Sequence, residues 1–140
     1  MNLTPPDIRL VQQSWGMIAP DAGDIADLFY TRLFELDPGL RLLFPDDMHR
    51  QGQKLTSMLG QAVSGLERPH QMVAAVRQMG ERHAGYGVQH EHYTAVREAL
   101  LWTLALALGA AFTPEVELAW FKLYNWLAET MQEKTAHEGA

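Results

Sequence analysis

The sequence predicts an all-α fold. Three observations carry that prediction. Apolar residues recur at three- and four-residue spacing in six stretches. No segment alternates apolar and polar residues with the period of two that a half-buried strand requires. The stretches are separated by prolines, glycines and capping residues, with no linker, internal repeat or low-complexity tract.

Thr4-Pro5 opens the first helix, with threonine as the cap and proline at the first helical position. Ile8, Val11, Trp15 and Ile18 then line one face, and Pro20 ends it. Asp21 is placed to cap a second helix with Ile25, Leu28, Phe29, Leu33 and Leu36 inward, which "DPG" at 37–39 breaks. The piece "LRLLFP" reads as a turn ending at Pro45. A third helix runs from about 48 to Leu66, with Leu55, Met58, Leu59, Ala62, Val63 and Leu66 inward. Met72, Val76, Met79 and Gly80 mark a shorter helix ending near His83, punctuated by Gly85 and Gly87. From about residue 90 a long helix carries Tyr93, Val96, Leu100, Leu104 and Leu108 to Gly109. Thr113-Pro114-Glu115 starts the last helix with a cap, a proline and an acid in the first turn. Val116, Trp120, Leu123, Leu127 and Met131 form its inner face.

A chain of 140 residues, 47% hydrophobic and 20% charged, holds one domain with a real core and is not disordered. With no cysteine it has no disulfide, thiolate or Cys-rich zinc chemistry. A net charge of −6 disfavours nucleic acid and anionic membranes as partners. The start "MNLTPPDIRL" lacks the positive and apolar regions of a signal peptide. The longest apolar run, 100–112, is too short to span a bilayer. A soluble cytoplasmic protein without membrane insertion is the expectation.

Three of the six histidines fall within residues 81–93. His90 and His92 open a helix about 200° apart around its axis, so they do not share one ion. The cluster is not HExxH, which excludes that zinc-protease pattern. Both read as a solvated helix start, and His49, His70 and His137 lie in polar or loop contexts. His83 differs: it continues the apolar stripe of Met72, Val76 and Met79 at the last turn of its helix. Such a histidine is either a core side chain satisfied by a backbone carbonyl or a neutral imidazole ready to bind metal. Spacing leaves both readings open.

The stretch "LFYTRLFELDPGLRLLFP" (28–45) resembles the second helix and following corner of bacterial globins. "RHAGYGVQHEHY" resembles their proximal-histidine region, and "AWFKLY" (119–124) their last helix. In order, and over essentially the whole chain, the sequence is similar to single-domain globins and to the haem domain of flavohaemoglobins. The resemblance implies a globin fold over residues 1–140, a helical sandwich around one b-type haem, iron protoporphyrin IX. It makes His83 the proximal iron ligand and Phe44 the aromatic wedged against the haem, with Met79 also at the cofactor. It matches Tyr30 to a distal tyrosine whose phenol stabilises bound O₂, and Gln51 and Leu55 to the polar residue and apolar neighbour over the iron. Gln53 is the rival to Gln51 for the inward position. Lys54 matches a basic position near the haem propionates.

Tyr93 matches a proximal-side tyrosine that works with a last-helix glutamate. Here the sequence departs: Thr135 falls at the glutamate's position and Glu133 two residues earlier, so a backbone carbonyl is the alternative acceptor for the second nitrogen of His83. The resemblance further implies O₂, NO and CO as small ligands, tight O₂ binding, and nitric oxide dioxygenation in the sense of nitric oxide detoxification. Turnover would use a separate reductase, since the chain closes at "EKTAHEGA". The rivals are a gas sensor or an oxygen storage and transport module without turnover, a haemless structural domain, and a six-coordinate electron carrier with Gln51 or His49 as second ligand.

Overall fold

A computed structural model describes residues 3–85 and 88–138, with side chains through Gln132. Six α-helices account for most of it: α1 (Pro5–Ile18), α2 (Ala22–Leu36), α3 (Met48–Ser64), α4 (Val73–Gly85), α5 (His90–Leu108) and α6 (Pro114–Glu138). Short 3₁₀ turns at Ala19–Asp21, Pro38–Leu43, Gly65–Glu67, Pro69–Gln71 and Gly109–Ala111 join them. Among the described residues there is no strand.

Local chemistry explains the ends. The Asp7 amide donates to Thr4 Oγ1 at 3.3 Å and the Thr4 amide to Asp7 Oδ2 at 3.0 Å, a reciprocal cap that satisfies two otherwise orphan donors of α1. Lys122 Nζ reaches the same carboxylate at 3.0 Å, pinning α1 to α6. The bond from the Thr4 amide, helped by Lys122, holds the Asp7 carboxyl below its usual range although partial desolvation opposes it. Thr113 Oγ1 caps α6 by accepting from the Val116 amide at 3.3 Å. Gly109 takes φ +55° after α5, a conformation that glycine adopts without a Cβ penalty.

The core is continuous, with Val11, Leu33, Leu66, Leu104, Trp120 and Leu123 almost fully buried. The heaviest packing is α4 on α6 and α2 on α5, followed by α1 on α6 and α3 across α2. Several buried polar groups are paired: Trp120 Nε1–H donates to Ser14 Oγ at 2.9 Å, Ser14 Oγ donates to the Leu10 carbonyl at 2.6 Å, and Thr103 Oγ1 donates to the Ala99 carbonyl at 2.7 Å, whereas the buried Nε atoms of Arg32 and Arg97 make no hydrogen bond.

Several sequence expectations need correction. Leu28 and Leu36 do not face inward; they are 36% and 42% exposed, and Ala26 and Tyr30 take the buried positions of α2. Asp21 occupies the cap position of α2, but its side chain makes no capping bond. The third helix stops at Ser64, and Leu66 is buried from the following 3₁₀ turn. His92 is more than a solvated residue: its Nδ1 accepts the Gln89 amide at 2.9 Å and caps α5. The apolar segment 100–112 belongs to a longer helical one, His90–Ala111, within which an 18-residue window reaches a mean hydropathy of 1.3, enough by length and composition to cross a bilayer. In the fold this segment supplies the packing surface for α2. Gly87 and the side chain of His137 lie outside the described residues.

Candidate functional site

Two groups of side chains hold the residues that the sequence singles out. The first is built on α2, the corner after it and α3. Tyr30 is buried on α2 at 7% exposure. Its ring lies edge-on to Phe29 at 5.0 Å and to Phe44 at 5.4 Å, and stacks on Phe34 at 6.0 Å between centroids. Phe34 and Phe44 themselves meet edge-to-face at 5.5 Å. Such offset and T-shaped contacts fix ring orientation as well as burying area. Arg41 fastens the corner: its Nη1 donates to the carbonyls of Phe44 (3.3 Å) and Pro45 (3.1 Å), and its guanidinium sits 5.8 Å from the Phe34 ring centre.

Gln51 Nε2 donates to the Tyr30 hydroxyl oxygen at 3.4 Å. Gln53 points elsewhere, exposed and paired with His49 Nε2 at 3.4 Å, as its offset around the helix requires. Gly52 makes the Gln51 contact feasible. It is buried where α3 crosses α2, and a Cβ there would meet the Ala26 methyl at 3.0 Å. Burial pushes the Tyr30 phenol up from its ordinary value, only partly offset by the Gln51 bond, so it stays protonated at neutral pH. Because the phenol oxygen accepts from Gln51, its own hydrogen is left for another acceptor. Leu55 is half-buried at the edge of the core, and Lys54 is exposed.

The second group is built on α4, α5 and α6. His83 is half-buried in the last turn of α4, and its Nδ1–H donates to the Met79 carbonyl at 2.7 Å. That bond selects the tautomer with a lone pair on Nε2, the metal-binding form. The Val88 amide donates to the His83 carbonyl at 3.1 Å and closes the helix end. Met79 and Tyr93 are half-buried against the core. Tyr124 on α6 donates its hydroxyl to the Tyr93 carbonyl at 2.6 Å, which ties the first turn of α5 to α6. Burial raises the phenols of Tyr93 and Tyr124, and the latter is raised further by Tyr93 against the opposing charge of Arg97. The side chains of Glu133 and Thr135 lie outside the described residues.

Sequence reasoning passed over Phe34, Arg41, Gly52 and Tyr124, and used Gly80 only as a marker of its helix. Phe34 stands four residues after Tyr30, and that helical spacing was an available signal. Arg41 bonds carbonyls only three and four residues on, whereas the contacts of Gly52, Gly80 and Tyr124 come from distant elements and leave no local signal.

The donor set admits one metal arrangement well. Among the described residues no three His, Asp or Glu side chains converge. His83 Nε2 could therefore serve as a single protein ligand to a metal whose other ligands come from outside the described side chains, a macrocycle being one such source.

Comparison with known proteins bears on the family and the fold. The family model described as Globin matches residues 27–131. Flavohemoproteins from two strains of Xylella fastidiosa, Temecula1 and 9a5c, are 28% identical over 138 residues. The match takes in 96% of this chain but 34% of theirs, so the chain spans about a third of the length of these relatives. Neuroglobin from Danio rerio is 28% identical over 152 residues, covering 99% of this chain and 96% of that protein. Among solved structures, an engineered carbene transferase superposes with a TM-score of 0.86. It is 32% identical and covers 97% of this chain and 95% of that one. Its parent, from Rhodothermus marinus, carries a provisional assignment as a nitric oxide dioxygenase.

Proposed function

Because this chain belongs to the globin family, we propose that it is a haem globin that binds O₂ tightly and, given electrons, converts NO to nitrate. Haem b, when bound, supplies an iron that takes O₂, NO or CO and that carries out the oxidation of NO. The protein's part is to hold, orient and protect. His83 offers Nε2 to the iron while the Met79 carbonyl keeps Nδ1 protonated and the ring in one orientation. A carbonyl is a weaker partner than a carboxylate, so this chain's own push on the iron is modest. Phe44, Leu55, Met79 and Tyr93 would supply apolar walls for the group, and Lys54, exposed on α3, would supply a positive charge for its carboxylates. Tyr93 supports the proximal side through its place at the start of α5.

The observation that carries the reading is the contact from Gln51 to Tyr30. It holds the phenol by its oxygen and leaves its hydrogen to donate to the outer atom of a diatomic ligand. A polarised ligand is a strong acceptor, and a buried donor next to it slows dissociation. This favours retention of O₂ over easy unloading. Turnover draws on a reductase that the globin fold itself does not provide.

The test is an absorption spectrum of the purified protein, reconstituted with hemin and taken ferric, dithionite-reduced and with CO. A histidine-ligated Soret pattern with a large CO shift is expected, followed by nitrate formation from NO when a reductase is supplied. No Soret band after reconstitution would overturn the reading. A Soret band without nitrate would leave storage or sensing.

A further inference from the structure

Resting on the reading of His83 as iron ligand, we propose that Gly80 is its positioning residue: the backbone contact of Gly80 with Met131 sets how deeply α4 seats on α6 and hence where His83 Nε2 stands. Gly80 is buried. A Cβ built on it would lie inside the van der Waals shell of the Met131 carbonyl oxygen, 2.5 Å from its carbonyl carbon and 2.6 Å from its Cα. All three atoms are main chain, so no rotamer change relieves the overlap. A single methyl at position 80 would push α4 away by on the order of 1 Å.

The other described glycines are different. At Gly65 the overlap is with the flexible Met72 side chain, at Gly60 the nearest atom stands at 3.8 Å, and at Gly16 and Gly23 nothing lies within 4 Å. Gly80 is also adjacent to the groups that aim the imidazole. Met79, whose carbonyl takes the His83 Nδ1–H, precedes it, and His83 follows within one turn. The large buried side chain of α4 is Val76, one turn earlier on the same face. The helix is therefore seated on α6 through Val76 and Gly80, and a helix displaced at Gly80 carries the imidazole with it.

The test uses the full, hemin-reconstituted chain with two readouts: the iron–histidine stretch of the ferrous protein by resonance Raman, and the rate of hemin loss. Gly80→Ala should lower the stretch frequency and speed hemin loss roughly tenfold or more. Gly16→Ala should leave both unchanged. In a His83→Gly protein complemented with free imidazole, the ligand is no longer tied to α4, and adding Gly80→Ala should leave the iron–imidazole band where it was. An unshifted band in Gly80→Ala, or the same shift in the imidazole-complemented protein, would overturn the inference. Should Gly80→Ala fold poorly, it is made together with Gly16→Ala and Gly23→Ala. Failure to fold even there would make Gly80 a residue of the fold alone and overturn the positioning role. A wild-type protein with no iron–histidine band is recognisable before any variant is made, and would sink the reading of His83 as ligand first.

Discussion

The two halves of the candidate site are held in different ways. Around Tyr30 the contacts run from side chain to side chain: three phenylalanine rings and the Gln51 amide. Around His83 they run to main chain: the Met79 carbonyl takes Nδ1–H, the Tyr93 carbonyl takes the Tyr124 hydroxyl, and Gly80 meets the backbone of Met131. A side-chain network is altered one residue at a time with the helices left in place. A backbone-held group moves only when a helix moves. The difference implies that ligand retention is adjustable by single substitutions on the α2–α3 side, whereas the position of His83 is a property of how α4 docks on α6.

The largest effect should come from His83→Ala. It removes the proposed iron ligand, so the variant should lose hemin or recover a histidine-type spectrum only with added imidazole. An unaltered spectrum would assign coordination to another residue and dissolve the comparison.

Next in size is Tyr30→Phe, which deletes a donor and keeps the ring packing. Losing one hydrogen bond to a charge-bearing acceptor costs about 1.5–3 kcal/mol, a roughly tenfold to hundredfold faster O₂ release by stopped flow. Gln51→Leu should give a smaller increase, and little further effect in the Tyr30→Phe background, because Gln51 acts by holding the phenol. Additive effects of the two would mean that Gln51 touches the ligand independently.

A smaller effect is expected for Gly52→Ala. The 3.0 Å approach there is to the Ala26 methyl, which can yield by a few tenths of an ångström, and alanine is intrinsically the better helix residue by up to about 1 kcal/mol. The two terms oppose each other, so thermal stability should stay within about 1 kcal/mol of wild type. A loss of stability larger than that of Gly80→Ala would erase the contrast between the two helix crossings.

The smallest effect concerns Asp7, which lies outside both groups and anchors α1 to α6. Its carboxyl titrates below 3.8 in the folded chain, so the stability it contributes is present above that value and fades as pH falls through the lowered one. Urea unfolding should find Asp7→Asn weaker than wild type at pH 7, with the gap closing as the pH falls below the ordinary carboxylate range. A gap independent of pH would mean that the side chain matters for its shape rather than its charge.

Much of the fold could be read locally. Thr4-Pro5 and Thr113-Pro114 marked two helix starts correctly because a cap and its orphan amides lie within one turn. The inner face of α6, from Val116 to Met131, followed from a stripe that is apolar on one side only. α2 was harder. Leu28 and Leu36 extend an apolar stripe wider than the surface available to bury it, so composition could not say which edge stays outside. The site divided in the same way. That a carbonyl would take the second nitrogen of His83 was foreseen as an alternative, since the Met79 oxygen lies one turn back on the same helix. Gln51 and Gln53 were not separable, because the partner that distinguishes them, Tyr30, is 21 residues away.

By itself, then, the sequence determined six helices, the caps of the first and last and the family that the chain resembles, since periodicity and capping act over one or two turns. The tertiary structure alone decided which glutamine faces Tyr30 and that a glycine one turn before His83 lies against the main chain of α6. These depend on the angle and depth at which helices cross, and those are set by the packing of the whole core rather than by any stretch of residues within it.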